Sequence, residues 1–270
     1  MNIRLSDHIV DVSVPKVMAI INITPDSFVP SCRCVTEVQA LATAAKALQE
    51  GAAILDVGAC STRPGSEPVD AEQEWKRLAP ALRALRDAFP KAPISVDTFR
   101  PAIAQRALET YQVDMINDVS GGSEEMYDIV AKYRVPYILT FARTLAPEED
   151  AVLAALDFFV HESDILHRKG VADVILDPGF GFGKSIEQNY QLLHGLSRFQ
   201  VLREPILVGI SRKSMIYKVL NISPEEALNG TTVLHTLALQ GGASILRVHD
   251  VKEAQQTIQL MKQLPITHNH

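Results

Sequence analysis

Short apolar runs recur along the chain, and most stop at a side chain able to bind or react. The first, Lys16 to Asn22, ends in an amide, and Ala53 to Val57 carries Asp56 inside it. Ile94-Ser95-Val96 stops at Asp97, Asp114-Met115-Ile116 at Asn117-Asp118, and Pro136 to Leu139 at Thr140. Asp173 to Leu176 meets Asp177, Ile206 to Ile210 runs into Ser211-Arg212-Lys213-Ser214, and Ser244 to His249 carries Arg247 and His249. Apolar runs of this length read as buried strands. Segments with helical spacing lie between them. Thr36–Glu50 aligns Val38, Leu41, Ala45 and Leu48 on one face before Gly51, and Ala71–Phe89 aligns Trp75, Leu78, Leu82 and Leu85. Trp75 reads as core, because a large aromatic at helical spacing usually packs. Further helices are expected from Pro101, from Glu124, over Glu148–Lys169 and over Val251–Leu264.

Strands alternating with helices predict βαβ units and a parallel sheet. Eight such units within 270 residues fit the α/β class as a single (β/α)8 TIM barrel. The expected domain covers residues 1–270, with a short lead-in at 1–14 and a flexible tail at 265–270. In a barrel the strand-end residues gather at one mouth, where barrel enzymes place their active sites. Singly, each polar residue could be a cap or turn residue. A full ring of amides, carboxylates and cations points to a ligand site.

The stretch Val174–Ser185, V-I-L-D-P-G-F-G-F-G-K-S, carries the densest signal. Its close, Gly183-Lys184-Ser185, invites a phosphate-loop reading that the spacing rejects: a Walker A loop needs glycine where Pro178 stands. A dinucleotide fingerprint beginning at Gly179 and Gly181 would need glycine at Lys184. Lys184 itself reads as a solvated helix-start residue.

Composition changes the picture little. The chain is 47% hydrophobic, enough for a sizeable core, and its net charge of −6 argues against nucleic acid as partner. Cys32, Cys34 and Cys60 cannot form a disulfide framework and suit a reducing cytoplasm. Cys32 and Cys34 lack the further ligands of a zinc site. The N-terminus does not read as a signal peptide and no apolar run reaches the length of a membrane span. Thr267-His268-Asn269-His270 reads as a frayed tail.

The candidate residues sort into two chemistries. Arg63, Arg247 and His249 lie beyond the second and eighth strands, which flank Asn22 in a closed barrel. Arginines fork onto phosphate oxygens, so this cluster suits a polyanion. Mg²⁺ would add oxygen ligation through the Asn22 side chain and phosphate. Asp97, Asn117 and Asp177 match a flat heterocycle rich in N–H donors, such as a pterin. Lys213 lies between the two regions in chain order, and a salt bridge to Asp177 is its structural alternative.

From Val17 to Glu253 the chain resembles the dihydropteroate synthase family. The resemblance rests on I-N-I-T-P-D-S-F (Ile21–Phe28), S-T-R-P-G (Ser61–Gly65), S-V-D-T (Ser95–Thr98), N-D-V-S-G-G (Asn117–Gly122), D-P-G-F-G-F-G-K (Asp177–Lys184), G-I-S-R-K-S (Gly209–Ser214) and R-V-H-D-V (Arg247–Val251). It implies condensation of a dihydropterin bearing a 6-hydroxymethyl diphosphate with 4-aminobenzoate, giving dihydropteroate for folate synthesis. By similarity, Asn22 binds Mg²⁺, and Arg63, Arg247 and His249 hold the diphosphate. Asp97, Asn117, Asp177 and Lys213 grip the pterin with Thr62 nearby, and Phe182, Lys213, Ser214 and Pro64 form the aminobenzoate pocket. The family is a sulfonamide target, and a homodimer is implied. Residues Val29-Pro30-Ser31-Cys32, Cys60 and Thr140-Phe141-Ala142 depart from the family pattern, in positions read as loops and pocket walls. Two rival readings are a barrel that transfers methyl from methyltetrahydrofolate to a corrinoid protein and a non-catalytic pterin-binding paralogue. The first shares Asp97, Asn117 and Asp177 but has no need of Arg63, Arg247 and His249. Intact Asn22 and Lys213 weigh against the second.

Overall fold

A computed structural model describes residues 1–5, 8–23, 37–60 and 69–264. Eight parallel strands form the central sheet: β3 (Lys16–Asn22), β4 (Ile54–Gly58), β5 (Ile94–Asp97), β6 (Met115–Asp118), β7 (Tyr137–Thr140), β8 (Val174–Asp177), β9 (Leu207–Val208) and β10 (Ile245–Val248). They pair in the order β8-β7-β6-β5-β4-β3-β10-β9. A parallel bridge from Leu176 to Ile206 brings β8 against β9 and closes the ring. This is the expected TIM barrel.

The outer layer holds α1 (Glu37–Gln49), α2 (Ala71–Ala88), α3 (Pro101–Tyr111), α4 (Glu124–Tyr133), α5 (Ala151–Arg168), α6 (Ile186–His194), α7 (Ser214–Leu220), α8 (Leu228–Gln240) and α9 (Val251–Met261). Local chemistry sets their starts. Asp70 accepts from the Gln73 N–H to cap α2, and Ser185 with Gln188 forms a capping box on α6. The helix expected from Glu148 starts later, at Ala151, because Asp150 accepts from the Val152 and Leu153 N–H groups. The strand expected over 206–210 shortens to Leu207–Val208. Trp75 is half-buried at the edge of the core, where it packs against Tyr111 at a ring separation of 6.0 Å beneath the Arg106 guanidinium.

Strand side chains alternate between the helices and the barrel interior. The outward set, including Val17, Leu55, Val57, Val96, Ile116, Leu139 and Leu176, packs beneath the helices. Inside, Met18, Ile54, Met115, Ile138, Ile175, Leu207 and Ile245 make one apolar layer. The lead-in folds beneath that layer. β1 (Asn2–Leu5) and β2 (His8–Asp11) form an antiparallel pair, and Ile3, Leu5 and Val12 plug the amino end of the barrel. Two residues further along, the interior turns polar on five of these strands. Asp56 follows Ile54, Asn117 follows Met115, Thr140 follows Ile138, Asp177 follows Ile175 and Arg247 follows Ile245.

Candidate active site

Asp56 organises this polar layer. It is fully buried, and its Oδ2 accepts from Arg247 Nε at 2.6 Å and from Asn117 Nδ2 at 3.0 Å. Arg247 Nη2 donates to Asp97 Oδ2 at 2.5 Å, so one guanidinium joins two carboxylates. A buried charge requires such pairing, since its desolvation is otherwise prohibitive. Burial pushes the Asp97 carboxyl up to about 7; Arg247 opposes that rise, while Asp56 and Glu74 reinforce it. The carboxylates of Asp56 and Asp97 outweigh desolvation at Arg247 and hold its charge firmly. Gly58 leaves room for this arrangement, because a Cβ there would lie 3.2 Å from Asp97 Cβ.

Asp177 closes β8 on the neighbouring side. Burial raises its pKa, against the charge of Lys213 and a 2.8 Å hydrogen bond from the Gly179 N–H. Lys213 reaches across from the start of α7. Its Nζ donates to the Phe180 carbonyl at 2.5 Å and stands 4.9 Å from the centre of the Phe182 ring. The direct partner of Lys213 is thus a carbonyl, and Asp177 acts on it through space. Burial lowers the Lys213 amine to about 8, with Asp177 opposing. Ser214 opens α7 beside it, half-buried.

Several acceptors in this layer are buried without a hydrogen-bond partner among the described residues: Asp56 Oδ1, Asn117 Oδ1, Ser95 Oγ and Thr140 Oγ1. Buried polar atoms are normally satisfied, so a group of exceptions around one cavity mouth marks a surface built for a ligand. Arg212, adjacent to Lys213, serves the scaffold. It pairs with Asp250 at 2.8 and 2.9 Å and donates to the Pro224 carbonyl, which ties the loop after β9 to the end of β10. The His249 N–H donates to Ser211 Oγ at 3.3 Å in the same seam. Asn22 ends β3, half-buried.

Thr62, Arg63, Pro64, residues 29–34 and the tail 265–270 lie outside the described residues. Cys60 is half-buried, with Arg100 Nη1 3.7 Å from its Sγ. Among the other departures, Thr140 faces the barrel interior. Phe141 is fully buried and packs against Phe158 at 5.3 Å and Phe159 at 6.3 Å, so it belongs to an outer aromatic cluster and not to a pocket wall.

One reading is overturned. Lys184 is no solvated residue: its Nζ donates to the carbonyls of Phe141, Gly179 and Phe182. The sequence could not show this, because the chain must fold back on itself to bring those carbonyls together. Asp56 lies inside a strand run rather than at its end, and only its register reveals its role.

A sequence profile described as pterin binding enzyme matches residues 18–249. The dihydropteroate synthase of Escherichia coli K12 is 37% identical, over 93% of this chain and 92% of that protein. The chain belongs to the dihydropteroate synthases. Solved synthases superpose closely. The Yersinia pestis synthase in a sulfonamide drug complex has a TM-score of 0.91 at 35% identity, covering 97% of this chain and 98% of that one. The Xanthomonas albilineans synthase with 4-aminobenzoic acid has a TM-score of 0.89 at 36% identity, covering 98% and 99%. No helix among the described residues is long and apolar enough to cross a membrane.

Proposed function

We propose that the chain condenses a (7,8-dihydropterin-6-yl)methyl diphosphate with 4-aminobenzoate, and that the polar layer around Asp56 is the pterin site. The observation that carries this reading is the cluster of partnerless buried acceptors beside Asp97, Asp177 and Lys213. A pterin edge presents N–H donors, which suit Asp97, Asn117 and Asp177, and a carbonyl, which suits the Lys213 ammonium. Arg247 contributes to both halves. Nε and Nη2 are held by carboxylates, and its charge would join Arg63 and His249 in neutralising the diphosphate.

Among the described residues no group of three or more His, Cys, Asp or Glu side chains could enclose a metal ion. A single amide oxygen fits Mg²⁺ all the same, since that ion keeps several waters and takes substrate phosphate oxygens. Asn22, at the end of β3, is the residue that would hold it. Bound there, Mg²⁺ would neutralise charge on the diphosphate.

The substitution is dissociative. The bond from the pterin methylene carbon to the diphosphate oxygen breaks, and its electron pair leaves with diphosphate. The cation left behind delocalises into the pterin ring, where Asp97 and Asp177 supply negative charge. The neutral aromatic amine forms the new C–N bond and then loses a proton. Phe182, Lys213, Ser214, Pro64 and Thr62 hold the aminobenzoate and the adjoining pterin edge, so positioning supplies much of the rate. The reaction runs in the cytoplasm, a reducing compartment that suits a chain whose three cysteines cannot make a disulfide framework.

The chain acts as a homodimer. On α7 and α8, Val219, Leu220, Val233 and Leu237 are about half exposed, an apolar patch that a second copy would cover.

The deciding assay mixes purified protein, the pterin diphosphate, 4-aminobenzoate and Mg²⁺ and follows diphosphate release and dihydropteroate. Release that depends on 4-aminobenzoate is expected. A folded sample that binds pterin without making product would sink the reading.

A further inference from the structure

Lys184 has no task in the reaction as proposed, yet its ammonium is engaged on three sides. Nζ donates to the Phe141 carbonyl at 2.6 Å, the Phe182 carbonyl at 2.9 Å and the Gly179 carbonyl at 3.1 Å. It also stands 4.6 Å from the centre of the Phe141 ring. An ammonium has three donors and no acceptor, so three carbonyls saturate it. Burial pulls this amine down to about 7, with the Asp177 charge opposing the fall.

The carbonyls come from two loops. Phe141 directly follows β7, whereas Gly179 and Phe182 lie in the loop after β8. The loops touch with almost nothing between them. A Cβ on Gly179 would stand 2.1 Å from the Phe141 oxygen, and one on Gly183 would stand 2.5 Å from Thr144 Oγ1. Gly179, Gly181 and Gly183 all have positive φ, a run that glycine permits at a cost in chain entropy. Lys184 is the cross-link that holds this glycine-rich path on the neighbouring loop. The path carries Phe182, whose ring centre lies 4.9 Å from the Lys213 ammonium.

We propose that Lys184 is a positioning residue for the aminobenzoate site, pinning the β8 loop to the β7 loop and thereby fixing the Phe182 ring against Lys213. The proposal rests on the reading of Phe182 as a wall of that site. A merely structural lysine would support both substrates alike; this one favours the aminobenzoate half.

Lys184→Met keeps most of the length of the side chain and removes all three hydrogen bonds. The KM for 4-aminobenzoate should rise about tenfold, with kcat and the KM for the pterin diphosphate within about twofold of wild type. Amide exchange should quicken in 179–183 and 141–145 and nowhere else. Lys184→Gln, which keeps two donors, should fall between, and it serves if the methionine variant folds poorly. Unchanged exchange in those segments overturns the proposal, as does an equal rise in both KM values. The exchange measurement needs no turnover. A wild-type protein that makes no product therefore condemns the functional reading, while the exchange result still judges the role of Lys184.

Discussion

At the scale of single residues, Asp56 shows how one buried carboxylate conditions its neighbours. It orients Arg247 and Asn117 together, and its charge helps to raise the pKa of Asp97. Pterin binding should weaken as pH falls through about 7, because Asp97 then takes up a proton and loses acceptor strength. Asp56→Asn removes one source of that raised pKa, so the weakening should move to lower pH. Affinity at pH 8 should also drop about tenfold, as Arg247 keeps only one of its two carboxylates. Titration calorimetry with a bare pterin across pH 5 to 8 checks both effects; an unshifted profile in the variant would contradict the role given to Asp56. Asp97, Asn117 and Asp177 were legible in the sequence because each stops an apolar run. Asp56 was visible but mute, since its meaning depends on the neighbouring strand that pairs with it. His249 and Asn22 were legible as strand-end residues, and Lys184 was misread because its partners are backbone atoms, which leave no trace in side-chain patterns.

At the scale of elements, the eight barrel strands could be read directly because buried parallel strands are continuous apolar runs. The lead-in pair leaves little pattern in the sequence. In β1 the alternation of Ile3 and Leu5 is short, and in β2 Ile9 points to solvent. Its importance is energetic: Ile3 and Leu5 are almost wholly buried against the lowest barrel layer. Leu5→Ala should therefore cost about 2–4 kcal/mol in urea unfolding, comparable to a core deletion. A loss under about 0.5 kcal/mol would mean that the pair is dispensable trim. Gly170, between α5 and β8, and Gly179, in the loop after β8, give a paired comparison between two glycines with positive φ. At Gly170 a Cβ meets nothing within 4 Å, whereas at Gly179 it strikes the Phe141 carbonyl. Gly170→Ala should cost about 1 kcal/mol from the left-handed backbone alone. Gly179→Ala should cost clearly more and should disturb the mouth of the barrel as well. Equal costs would show that the two loops are not in close contact.

At the scale of the whole molecule, the apolar face of α7 and α8 bears on assembly and the underside of α8 bears on acid stability. Val233→Asp with Leu237→Asp should yield a monomer in sedimentation if a second copy covers that face, and an unchanged mass would exclude that surface. Beneath it, His235 is buried, with Nε2 lacking a partner among the described residues. Burial lowers its pKa to about 4, with Asp250 weakly opposing. Its unfolded value lies near 6.5, so the unfolded chain binds a proton first. Stability must then fall as pH drops from about 6.5 toward 4, by up to about 3 kcal/mol from this group. Asp97 works in the opposite sense: its raised pKa lets the folded chain take up a proton first as pH falls below about 7. The total pH dependence therefore mixes the two, and the difference between wild type and His235→Gln isolates the histidine. Glutamine replaces the ring with a group that does not titrate, at the cost of an offset that pH does not change. Urea unfolding at pH 7, 6 and 5 should show the wild type losing stability relative to the variant at each step. A constant gap between the two proteins would mean that His235 titrates alike in the folded and unfolded chain, which contradicts a buried neutral imidazole.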